Sequence, residues 1–186
     1  MRNKETISDN DLFKEFMDSG KANHLFNEII NRFKFKIYHQ ARRIVLIHQD
    51  ADEVCQLVFI KLWKHADSFK FQSQLSSFIY RITYNESISL LKRNQKHYNI
   101  DDYLDKDGHY QSMVTQGETI SSDEILKNLI SATLTLPEKQ RLVFNYRYFD
   151  ELSYKEISDI TGTSESALKA SYHFAVEKIK KIINPD

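Results

Sequence analysis

Apolar residues recur at three- and four-residue spacing through most of this chain, the signature of amphipathic helices. Phe26, Ile29, Ile30, Phe33, Ile37, Ala41 and Ile44 form one stripe and predict a long helix. Asp50-Ala51-Asp52-Glu53 opens a second, with acids in its first turn and Val54, Leu57, Val58, Leu62 and Trp63 on its buried side. From Asp50 to His65 that helix would span about 24 Å. A polar stretch with Phe69 and Phe71 follows, and a third helix starts near Ser77. Its apolar residues are Phe78, Ile79, Ile82, Leu90 and Leu91, and Glu86 interrupts the stripe.

The same period returns near the C-terminus. Ser121-Ser122-Asp123-Glu124 has the form of a capping box, followed by Ile125, Leu126, Leu129 and Ile130. Pro137 sits where a helix favours its first residue, and Leu142, Val143 and Tyr146 follow. Ser153 with Glu156 opens another helix carrying Ile157 and Ile160. Thr161-Gly162-Thr163 makes a short turn, and Ser164 caps a last helix striped by Leu168, Tyr172, Ala175, Val176, Ile179, Ile182 and Ile183. Two helices joined by a three-residue turn containing Gly predict a helix-turn-helix. The opposite face of its second helix presents Ser166, Lys169, Ala170 and His173 near the N-terminal end, where a recognition helix meets base edges. The amides at Ser164 to Ser166 would face phosphate. An ordinary helical hairpin shares this spacing.

Composition removes the main alternatives to helices. Only 4 Gly and 2 Pro occur in 186 residues, too few for sandwiches, barrels or Gly-rich nucleotide folds. One cysteine, Cys55, excludes an internal disulfide framework. No secretory signal or bilayer-length apolar run is visible, so the expectation is a cytoplasmic protein, not itself membrane-embedded. The formal net charge of zero hides a segregation: residues 1–96 carry +5, residues 97–123 carry −5 and residues 124–186 are neutral. The acidic stretch has weak periodicity and contains Gly108 and Gly117, so it reads as a flexible linker, with a surface loop as the alternative. A flexible chain of that length reaches about 30 Å on average and about 90 Å when taut. The expected fold is therefore all-α: two small helical modules joined by a flexible acidic linker, the second module a helix-turn-helix.

Candidate chemistry is sparse. His39, His48, Cys55 and His65 lack zinc-site spacing, and His48 with Asp50 or Glu86 with Ser87 reads as an ordinary surface pair. Arg81, Asn85 and Lys92 share a face of the third helix, with Tyr80 and Tyr84 close by. Rings interleaved with cations suit single-stranded nucleic acid, where bases stack and phosphates find charge; a Tyr-rich core edge would look the same. The polar residues Asp52, Glu53, Gln56 and Lys64 on the second helix are consistent with a solvated face.

Taken together, three segments resemble the extracytoplasmic-function (ECF) group of bacterial RNA polymerase sigma factors. The first runs from Asp50 to Trp63 and is similar to the family's helix that docks on the clamp helices of the polymerase beta-prime subunit. The second, Ser77-Phe78-Ile79-Tyr80-Arg81-Ile82-Thr83-Tyr84-Asn85 continued by Leu90-Leu91-Lys92-Arg93, is similar to the family's −10-reading helix. The third comprises Leu136 to Arg141, Tyr148 to Ile157 and Ser164 to Ala175, and is similar to its −35-reading domain.

The resemblance implies an N-terminal extension (1–21), a sigma domain 2 (22–96), a linker (97–121) and a sigma domain 4 (122–186). It implies a protein with no catalytic group, metal or cofactor of its own, which lends promoter recognition, DNA melting and initiation to core RNA polymerase. The polymerase-binding residues would be Asp52, Glu53, Gln56, Phe59 and Trp63. Phe69, Phe71, Phe78, Tyr80, Arg81, Tyr84, Asn85, Lys92 and Arg93 would meet the −10 element, and Ser164, Ser166, Lys169, Ala170 and His173 the −35 element. Partners would be core polymerase (beta-prime clamp and beta flap), promoter DNA and an anti-sigma factor, with no small-molecule substrate. The chain departs from the family's pattern at Leu57, where an acid is usual, at Phe78 (Trp), and at Tyr84, Ser171 and Phe174 (Arg). Promoter preference therefore does not carry over. A free-standing regulator, with residues 1–96 as a ligand or dimerisation domain, is the rival from the residues alone; an enzyme or a helical scaffold fits less well.

Overall fold

A computed structural model of the chain describes residues 7–94 and 128–183. Among these residues the regular structure is entirely helical, and it falls into two compact units, one within residues 1–96 and one within residues 97–186. The predicted capping box at Ser121 to Glu124 and the acidic linker lie outside the described residues. No helix among the described residues is long and apolar enough to cross a membrane.

The first unit contains α1 (Asp9–Asp18), α2 (Asn23–Val45), α3 (His48–Lys64), a 3-10 turn (Ala66–Ser68) and α4 (Leu75–Asn94). The α2 stripe is buried as its spacing requires, with Ile29, Phe33, Ile37 and Ala41 almost wholly out of solvent. Leu46 ends α2 in the left-handed region (φ 62°), its N–H bonding the Arg42 carbonyl, and α3 turns back along α2. The pairing of Tyr38 with His48 near the turn, and of Phe26 with Trp63 far from it, shows the two helices to be antiparallel. Helix α4 packs against both. The buried Glu86 in its apolar stripe is explained by Lys61 on α3, whose Nζ lies 2.6 Å from the carboxylate. A buried carboxylate with that partner avoids the cost of an unpaired charge.

Helix α1 was not among the elements expected from periodicity. Ser8 caps it by accepting from the Asp11 N–H, and Leu12, Phe13 and Phe16 are buried. The extension is thus partly core. Phe16 meets Trp63 at 5.3 Å and Phe26 at 5.2 Å, and Phe13 meets Phe69 edge-on at 5.6 Å.

The second unit comprises α5 (128–134), α6 (Glu138–Tyr148), α7 (Tyr154–Thr161) and α8 (Glu165–Ile183). Pro137 is the N-cap of α6, one position earlier than its N1 preference suggested. Ser153 and Glu156 form the predicted capping box, each side chain bonding the other's backbone N–H. Gly162 ends α7 at φ +71°, a conformation that L side chains rarely adopt, so this turn needs its glycine. One cluster joins Leu129, Ala132, Leu136, Phe144, Ala175 and Ile179 across α5, α6 and α8.

His39, on α2, is a half-buried imidazole whose buried Nδ1 has no hydrogen-bond partner among the described residues. Burial, assisted by Arg43, pushes its pKa down from 6.5 to about 4. The unfolded chain takes up a proton near 6.5 and the folded chain resists it. Stability is therefore whole above that pH and falls as the pH drops toward 4. Allowing for the part of the ring that water screens, the loss is about 1–2 kcal/mol. Urea unfolding of His39→Gln at pH 7.5 and pH 5 is expected to show a smaller acid loss than the parent chain; identical losses would place the acid sensitivity elsewhere.

Candidate nucleic-acid and protein interfaces

The polar side of α3 is built by exclusion. With Ala51, Val54, Val58 and Leu62 buried against α2 and α4, the remaining positions must face outward. Asp52 and Gln56 are exposed, and the Glu53 side chain is about half exposed. Asp52 Oδ2 lies 3.3 Å from His48 Nε2, whose Nδ1 in turn pairs with the Tyr38 hydroxyl at 2.8 Å. Burial raises the pKa of that tyrosine, so its hydroxyl stays protonated at neutral pH. Cys55, on the same helix, is pushed up to about 12 by burial and by Asp52, so its thiol stays protonated. Phe59 and Trp63 are only half exposed, each edge-on to Phe26 at 6.3 and 4.8 Å. They present edges rather than free rings.

The structure divides the residues expected at the −10 element. Arg81, Asn85, Lys92 and Arg93 are exposed on α4, and Tyr84 is half exposed. Phe69, Phe78 and Tyr80 are instead buried, at 4%, 9% and 8% exposure. They are core: Phe69 packs at a tilt against Phe78 at 5.1 Å, and Gln40 of α2 donates to the Tyr80 carbonyl at 3.0 Å. Periodicity cannot tell an aromatic core edge from a base platform, and here the core takes three of the rings. Phe71 differs. It stands 40% exposed on the loop between the 3-10 turn and α4, with a left-handed backbone (φ 57°). A bulky residue held there is strained by roughly 1 kcal/mol or more, and such strain concentrates at ligand clamps.

One ion pair joins the two surfaces. Arg93 Nη2 reaches Glu53 Oε1 at 2.5 Å, from α4 to α3. Both ends are solvated, and exposed pairs contribute about 0–1 kcal/mol. Arg93→Ala is expected to lower stability by no more than about 1 kcal/mol in a denaturant titration; a larger loss would make this arginine structural.

In the second unit, Ser164, Ser166, Lys169, Ala170 and His173 are all exposed along the N-terminal half of α8. Spacing of three and four keeps Ser166, Lys169, Ala170 and His173 on one face, with Ser164 just before the helix, while Leu168, Ala175 and Ile179 are buried on the other. Ser164 Oγ accepts from the Ala167 N–H at 3.4 Å, capping the helix start. Lys169 Nζ lies 4.0 Å from Glu165 and 5.7 Å over the Tyr154 ring, close enough to hold the ammonium near the helix start. Phe174 is 56% exposed, beside His173. Arg147 fixes the α6–α7 turn by donating to the Leu152 carbonyl at 2.5 Å while its guanidinium covers Tyr154. Sequence reasoning did not single out Arg147 or Asn10; each acts by bonding backbone, five residues on for Arg147 and more than sixty for Asn10, which leaves no periodic signal. Among the described residues no group of three or more His, Cys, Asp or Glu side chains is arranged to hold a metal ion.

Residues 29–97 match the family model of sigma-70 region 2, and residues 126–179 match that of sigma-70 region 4. The two matches fall in this order and together span about two thirds of the chain. The ECF RNA polymerase sigma factor SigW of Bacillus subtilis is 28% identical over 163 residues, covering 84% of this chain and 87% of its own length. The chain belongs to the ECF group of RNA polymerase sigma factors. Solved structures agree on the fold. CnrH, in complex with the cytosolic domain of CnrY, superposes with a TM-score of 0.69 at 17% identity, over 97% of this chain and 99% of that one. RpoE of Bartonella quintana, in complex with the anti-sigma factor NepR, gives 0.66 at 18% identity, over 87% and 98%. This sigma factor therefore serves promoter recognition in transcription initiation. Its relatives are initiation factors rather than enzymes in the usual sense.

Proposed function

We propose that this sigma factor divides its work between its two units, and that the recognition-helix face of α8 is the observation that carries the assignment. Residues 22–96 would act as sigma domain 2 and residues 122–186 as sigma domain 4, with residues 97–121 as the linker. Asp52, Glu53 and Gln56 on α3 dock on the polymerase clamp, with the edges of Phe59 and Trp63 flanking them. The beta flap of the polymerase is the second contact, on residues 122–186. The chain supplies no catalytic group; the polymerase performs the chemistry.

Helix α8 enters the −35 major groove. Lys169 and His173 reach bases or phosphates, Ser164 and Ser166 offer hydroxyls and amides, and Ala170 allows close approach. At −10, Phe71 receives a base turned out of the duplex, while Arg81, Asn85, Lys92 and Arg93 line the strand's path and Tyr84 offers a second ring. Unstacking costs a few kcal/mol per step and stacking on a ring returns about 1–3 kcal/mol per base. The two nearly cancel, so melting needs the polymerase as well. The protein works in the cytoplasm, where its template is. The complex of the sigma factor RpoE with the anti-sigma factor NepR supports an anti-sigma factor as its regulator.

A neutral chain gains little phosphate attraction by itself. Binding to promoter duplex is expected to be weak or undetectable for the isolated protein and tight with core polymerase. Fluorescence anisotropy of labelled DNA measures both. Tight sequence-specific binding by the protein alone would favour the free-standing regulator.

A further inference from the structure

Helix α1 meets the loop that carries Phe71 at two kinds of contact. Asn10 Oδ1 accepts from the Leu75 N–H at 2.7 Å, capping α4 from another helix, and Asn10 Nδ2 donates to the Ser73 carbonyl at 3.2 Å. Phe13, wholly buried one turn further on, lies 5.6 Å from the Phe69 ring and 6.4 Å from Phe71. Phe69 and Phe71 are themselves 4.8 Å apart. One end of the loop is thus held at its backbone and its middle at its rings.

We propose that Asn10 is a positioning residue for base capture: α1 braces the loop of residues 69–74 so that Phe71 is presented ready-formed to an unstacked base. The inference rests on reading that loop as the −10 capture site. Its physical content is preorganisation. The left-handed backbone at Phe71 is unfavourable and persists because neighbouring contacts over-determine it. A loop held beforehand does not lose that ordering entropy when the base arrives. Two backbone hydrogen bonds from one side chain, across more than sixty residues of sequence, supply the constraint.

The test is run-off transcription with core polymerase on one promoter fragment, used as an intact duplex and with its −10 segment pre-melted by mismatches. Pre-melting removes the unstacking cost, so opening saturates and a weaker capture site suffices. Asn10→Ala is expected to reduce transcription from the duplex about five- to tenfold, the equivalent of one lost cap. Output from the pre-melted template and affinity for core polymerase should stay within about twofold. Asn10→Asp, which keeps the acceptor for the Leu75 N–H, should recover most of the loss. Equal losses on both templates, or no loss on the duplex, would overturn the proposal. Phe71→Ala separates the two levels. If it leaves duplex transcription unchanged, the loop is not the capture site and the inference falls with that reading. If it abolishes opening while Asn10→Ala does not, the capture site stands and the brace alone is wrong.

Discussion

Replacing Asp52, Glu53 and Gln56 together with Ala is expected to lower affinity for core RNA polymerase by at least a hundredfold and to remove promoter-dependent transcription, with the fold unchanged. Asp52 and Gln56 are exposed, and Glu53 is about half exposed. None belongs to the apolar side of α3, which rests on Ala51, Val54, Val58 and Leu62. Within the chain the substitution breaks the pairs of His48 with Asp52 and of Arg93 with Glu53. Both are solvated, so their loss amounts to about 1 kcal/mol or less each. Polar groups at the centre of a protein interface can each contribute 2 kcal/mol or more, and three of them account for the expected hundredfold. Co-purification with polymerase and a thermal melt of the same sample separate the effects. Retained binding in a folded triple variant would move the docking surface off α3.

Phe144→Ala is expected to unfold the second unit. Phe144 is 3% exposed at the centre of the cluster that joins α5, α6 and α8, with Tyr148 stacked at 5.2 Å and Tyr172 at 6.0 Å. Truncating a buried Phe costs about 3–5 kcal/mol, the lost transfer energy together with a cavity that close-packed neighbours fill only in part. A domain of this size has a stability of about that magnitude. The helix-turn-helix would then present no defined face, and −35-dependent transcription should be lost with it. Amide hydrogen exchange over α6 to α8 reads the unfolding directly. Protection that persists there would show the cluster to be more tolerant than its burial implies.

The helices of both units were legible in the sequence because each buries one stripe, and a stripe leaves a period. The ends of α2 and α3 fall within two or three residues of their patterns for the same reason. Helix α1 left almost no such trace: three buried residues in two turns, Leu12, Phe13 and Phe16, sit among charges. Its Ser8 cap with Asp11 three residues on was the available signal. Glu86 looked like a flaw in a stripe because its partner, Lys61, lies on another helix. The aromatic candidates divide by packing rather than by residue type. Phe69, Phe78 and Tyr80 are held in the core, whereas Phe71 leans on Phe69 and Phe13 at the core's edge and keeps 40% of its surface exposed. Asn10 was invisible for a further reason: its partners are backbone atoms, which carry no residue identity.

The central claim is that this chain directs a polymerase to promoters. Run-off transcription with purified core polymerase on a library of genomic fragments, with and without the protein, tests it most directly. The account predicts a small set of new transcripts that depend on the protein and share two sequence elements upstream of their starts. An unchanged transcript set in the presence of folded protein would contradict it.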